Sequence, residues 1–160
     1  MKTSLISLAL LGLLSAGSAY ADFTLNRETT LSDEFGGQIH SVTQGTLAPE
    51  GGERDTVVTF SNFHPNTESS TVNGEIEGHF QRVDEEATRT YNGNLSIVAA
   101  PSGGDPRTLT LGFENLAVIR SDDGASLSGT LVVNGRSIDA AEAPAAVRSI
   151  LLRLIRFLRY

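Results

Sequence analysis

From Phe23 to Ile138 apolar and polar residues alternate in short runs, broken by Gly, Pro, Asn and Asp. A strand points successive side chains to opposite faces, so each run predicts a β-strand with one face buried and one in water. Val58, Phe60 and Asn62 share a face against Val57, Thr59 and Ser61, and Leu109, Leu111 and Phe113 oppose Thr110, Gly112 and Glu114. Val72 and Ile76 oppose Glu75, Glu77 and His79, and Leu127 and Leu131 oppose Ser128 and Thr130.

Turn chemistry lies between the runs. Pro49-Glu50-Gly51-Gly52 and Pro101-Ser102-Gly103-Gly104 join a fixed φ to residues free to take positive φ. Asp122-Asp123-Gly124 predicts a tight turn, and Asn134-Gly135 a type I′ hairpin into Arg136–Ile138. Asn73-Gly74 and Asn92-Gly93 fall inside strand-like runs, and at Asn73 a strand or bulge position is expected.

Residues 45–80 and 93–135 repeat one pattern in one order. Each has Gly–polar–Leu, then Pro–x–Gly–Gly–acid and Arg, then a run ending Phe–x–Asn, then small/polar–Gly–polar–aliphatic. The pattern predicts two tandem β-units, with Phe60 and Phe113 in equivalent environments and Phe23–Val42 adding further strands. The expected fold is all-β: an antiparallel meander, sandwich or barrel, with short connections favouring the meander.

Two segments depart from the β pattern. Met1–Ala21 has Lys2, an apolar run over Leu5–Leu14 and a small-x-small ending at Ala19-Tyr20-Ala21, the arrangement of a cleaved secretory signal peptide. At the other end Asp139 predicts an N-cap for a helix over residues 140–160, with Pro144 tolerated only in the first turn. At about 100° per residue Val147, Ile150, Leu151, Leu154, Ile155, Phe157 and Leu158 gather on one side and Arg148, Arg153, Arg156 and Arg159 on the other. Such a helix either lids the apolar face of the sheet or lies on a membrane surface or another envelope protein. The docking residues of the second reading are Arg148, Ile150, Leu151, Arg153, Leu154, Arg156, Phe157, Leu158 and Arg159.

Charge sharpens this division. Lys2 is the only lysine, so the chain from Asp22 carries eleven Arg against nineteen Asp and Glu, a formal charge of −8. Residues 22–139 hold seven of those Arg and eighteen of the acids, whereas residues 140–160 hold four Arg and one acid. The acidic body argues against nucleic acid as a partner. With no cysteine despite the leader, stability must come from packing and strand pairing.

Candidate chemistry is sparse. His40, His64 and His79 have no metal-ligand spacing, and both the G-x-S-x-G elbow and the P-loop ending are missing. All three histidines are expected as surface polar residues. Glu75, Glu77 and His79 share a strand face, the one cluster worth following, and a wetted sheet face explains it. Asp122-Asp123-Gly124 lacks the ligand spacing of a calcium loop. The expectation is an exported periplasmic or extracellular protein without cofactor, metal or catalytic residues, serving as a β-sheet binding or structural module. The alternative is a carrier of an apolar or lipid-like ligand inside a barrel; a hydrolase built from dispersed carboxylates or histidines ranks last.

Overall fold

The computed structural model describes residues 23–48, 51–65, 69–83, 86–100, 104–121 and 124–159. The segment 1–21 expected to be a leader, the residues Pro49-Glu50, Pro101-Ser102-Gly103 and Asp122-Asp123 expected in turns, and Tyr160 lie outside the described residues.

Eight strands follow one another: β1 (Phe23–Ser32), β2 (Gln38–Ala48), β3 (Gly51–Phe63), β4 (Ser70–Val83), β5 (Glu86–Ala99), β6 (Arg107–Ser121), β7 (Gly124–Val133) and β8 (Arg136–Asp139). All pair antiparallel in the order β1-β2-β3-β4-β5-β6-β7-β8, so β1 and β8 are the two edges. Among the three expected architectures this is the open meander, because each strand returns directly beside its predecessor.

The strand faces follow the period-two pattern. Val58, Phe60, Val72, Ile76, Leu111, Phe113, Leu127 and Leu131 are all buried on one face, called inner below. At the β7–β8 hairpin Asn134 and Gly135 take φ of 48° and 79°, the two positive values that a type I′ turn requires.

Phe60 and Phe113 occupy matching surroundings. Both are buried, and each precedes an Asn with positive φ at a bulge: Asn62 at 48° in β3 and Asn115 at 52° in β6. Asn73 Oδ1 accepts a hydrogen bond from Asn62 N at 2.8 Å, and Asn92 Oδ1 accepts one from Asn115 N at 2.7 Å. Phe60 faces Gly74 and Phe113 faces Gly93. The matching Asn-Gly pairs thus come from the strand after β3 and the strand before β6. About the β4/β5 axis, where Glu75 faces Asn94, β3–β4 corresponds to β6–β5. Neither Asn-Gly pair makes a turn; each lies within its strand.

The terminal segment is three short helical pieces. Asp139 caps a 3-10 turn at Ala140–Glu142, its Oδ1 accepting from Ala141 N at 2.8 Å. Ala143 then takes ψ 144° and Pro144 ψ 141°, and the α-helix α1 spans Ala145–Ile155 before a second 3-10 stretch, Arg156–Arg159. The continuous helix expected from Ala140 is therefore corrected. Proline disfavours the α region in the residue before it and supplies no N–H, so the chain kinks at 143–144.

This segment packs across the inner face. Val147, Leu151, Leu154, Ile155 and Leu158 are buried with the strand core, and Ile150, Leu152 and Phe157 pack against it. Five apolar side chains leaving water, at roughly 1.5–3 kcal/mol each, make the lid a major contributor to stability.

Candidate functional site

Burial divides the residues singled out on the terminal helix. Leu151 and Leu154 are at most 1% exposed and Leu158 is 4% exposed, all against the sheet. Phe157 meets Phe60 and Phe63 edge-on, with centroids 6.1 and 5.6 Å apart. The apolar side of the helix is thus occupied by the sheet. Arg153 and Arg156 are exposed on the opposite side, while Arg148 donates from Nη1 to Ala141 O at 3.0 Å and ties the helix to the 3-10 turn before it. Arg159 ends the last turn; its side chain is outside the described set.

The histidines resolve into three separate pairs. His79 Nδ1 lies 2.7 Å from Asp55 Oδ1, and Glu75 accepts from Thr59 Oγ1 at 3.1 Å. The Glu75–Glu77–His79 face is therefore divided among neighbours on β3, and no group of three metal-ligating side chains occurs among the described residues. His40 contacts Thr30 Oγ1 at 3.1 Å and Glu28 Oε1 at 3.6 Å on the surface.

His64 corrects the expectation of three surface histidines. Its side chain is 11% exposed and its Nδ1 lies 3.0 Å from Asp33 Oδ2. Asp33 also accepts from His64 N at 2.7 Å and, through Oδ1, from Phe35 N at 2.9 Å and Gly37 N at 2.8 Å. An ionised carboxylate only accepts, so His64 Nδ1 carries the proton. Desolvation pushes the Asp33 pKa upward, but these hydrogen bonds outweigh it and hold the carboxyl at about 2. The four bonds staple the β1–β2 turn to the end of β3. The pair thus acts as a structural clasp between the turn and the strand end.

Two larger features have no equivalent in the motifs. The first is an open trough of about 1330 Å³ on the outer face of β4–β7. Asn73, Asn92, Asn94, Ser96, Thr110, Thr130 and Val132 line it, Gly112 leaves its floor low, and Glu114 supplies a carboxylate. A backbone N–H can only donate, so the oxygens of Asn73 and Asn92 are committed to Asn62 and Asn115. Their amide N–H₂ groups remain as donors. The bulge asparagines therefore both shape the trough and furnish its polar groups.

The second feature is a separation of charge between the faces of the sheet. Arg27, Arg54, Arg82, Arg89, Arg107 and Arg136 alternate in phase with the buried core residues and belong to the inner face. Glu28, Glu53, Asp55, Glu75, Glu77 and Glu114 are out of phase and belong to the outer face. The exposed arginines of the helix point away from the sheet on the inner side. This signal was available in the sequence, because Arg54 lies four residues before Val58 and Glu75 one before Ile76. Net charge alone hides it, since totals discard parity.

The described strands close no barrel, and α1 covers the apolar core of the inner face, so the ligand enclosed in a barrel, the alternative reading, has no lumen among the described residues. No helix of the described residues is long and apolar enough to cross a membrane. No family model, curated protein or solved structure matches the chain.

Proposed function

We propose that the protein is an exported, non-enzymatic binding module of the bacterial envelope whose ligand surface is the outer trough. The trough across β4–β7 carries this reading. It is a concavity of about 1330 Å³, its outward side chains are amides and hydroxyls with one carboxylate and the exposed Val132, and paired strands hold it in place. Such a lining matches a neutral, polyhydroxylated ligand, which offers many donors and acceptors and no charge. Gly112 lets the ligand approach the backbone closely.

Titrating ¹⁵N-labelled protein with a panel of neutral oligosaccharides tests the proposal. Binding should shift amide signals of β4–β7 around Asn73, Asn92 and Thr110, and Asn92→Ala or Glu114→Gln should weaken it. Shifts confined to the inner face, or none with any member of the panel, would refute it.

A further inference from the structure

We propose that the uncovered end of the inner face docks onto an anionic lipid bilayer, in place of the helix's apolar side. The terminal segment reaches only as far as Gly78, where a Cβ would lie 2.6 Å from Leu158 Cδ2, beside Tyr91. Beyond that row two further rows of inner-face residues continue with no lid among the described residues. One runs Leu25–Gly45–Arg54–Phe80–Arg89 across five strands, and the next carries Phe23, Leu47 and Arg82. Phe23 is 57% exposed and Leu47 40%, among the most exposed large apolar side chains described.

The cations there are positioned by an aromatic ring. Arg54 Cζ lies 5.7 Å and Arg89 Cζ 5.0 Å from the Phe80 centroid. Cation–π attraction places both guanidiniums beside one ring and leaves N–H groups available to anionic oxygens. Neither arginine forms an ion pair with a described residue, although the protein as a whole is acidic. Two guanidiniums with no ion-pair partner among the described residues, beside protruding Phe and Leu, form a surface that is both cationic and apolar.

Three observations select a bilayer as the occupant. The crevice among Arg54, Phe80, Arg89, Tyr91 and Leu158 holds about 10 Å³, too little to engulf a lipid, so the anion must be met at the surface. A second copy docking by the same patch would set arginine against arginine. Third, Glu28 on β1, Glu53 and Asp55 on β3, Glu75 and Glu77 on β4 and Glu114 on β6 are on the opposite face, so an anionic surface orients the molecule with its inner side down. Arg153 and Arg156 face the same side, and the polar trough then faces away from the lipid. The inference does not depend on the trough's ligand.

Co-sedimentation with phosphatidylglycerol-containing and pure phosphatidylcholine vesicles tests it, with every variant carrying the same N-terminal segment so that its contribution cancels. Wild type should prefer the anionic vesicles and lose that preference in high salt. Arg89→Gln, an exposed position, should weaken partitioning about fivefold, and Arg54→Gln with Arg89→Gln more, whereas the double lysine replacement should retain it. Phe23→Ser should weaken binding without removing its salt dependence. Equal binding to both vesicle types, or wild-type binding by the Arg89→Gln and double glutamine variants, would overturn the proposal. So would release of vesicles by soluble polyphosphate at equal phosphate, which would assign the patch to a polyanion, or salt-sensitive dimerisation without lipid, which would assign it to a second copy.

Discussion

Asp33 shows how much one side chain can organise. It satisfies two donors within its own turn and two from His64, thirty-one residues away, so one carboxylate joins a hairpin turn to a distant strand end. Its pKa is depressed from 3.8 to about 2, so its ionised form is favoured by folding. The contribution to stability is fully present above about pH 3.8 and is lost as pH falls through about 2. Asp33→Asn should lower stability by about 1–3 kcal/mol at neutral pH, because a neutral amide with one acceptor oxygen replaces a carboxylate that accepts four hydrogen bonds from partly buried and exposed donors. Urea midpoints should show the wild type converging on the variant as pH falls through that window. Nothing near Asp33 in sequence announced His64 as its partner. The closing contact depended on where β3 ended.

At the scale of elements, the strands were legible and the helix was legible only in part. Alternation at Val58–Phe60 and Leu109–Leu111–Phe113 placed the core face correctly because a strand's period is set by backbone geometry alone. The helical stripe of Leu151, Leu154 and Leu158 was equally clear, yet two partners fitted it. Covering a sheet and lying on a bilayer demand the same amphipathicity, and the choice depends on whether the sheet offers an uncovered apolar face of matching size. It does, beneath α1. Leu154→Ala should therefore cost about 2–5 kcal/mol, as for a buried leucine leaving a cavity, while Arg156→Ala should stay within roughly 0.5 kcal/mol. Chemical denaturation of the two variants checks the contrast; equal small effects would mean that the lid contributes little. The kink at Ala143–Pro144 follows from proline's restriction of its predecessor, which places the start of α1 at Ala145.

For the whole molecule, the controlling quantity is where the charges lie rather than how many there are. With a formal charge of −8 from Asp22 onward and a row of carboxylates on one face, like charges repel across the outer surface. Thermal unfolding should shift upward modestly when sodium chloride is raised from low to moderate concentration, because screening relieves that repulsion; a downward shift would show that attraction between the two faces dominates. Alternation, turn residues and the apolar stripe already specified an antiparallel sheet with one greasy face and a helix able to cover it, since all three are local consequences of backbone period and side-chain type. The open edges at β1 and β8, the bulges that hollow the trough, the His64 clasp and the gathering of Arg54 and Arg89 around Phe80 emerged only on folding. Each depends on register between strands far apart in the chain, and register is settled by packing and hydrogen bonding over the sheet as a whole.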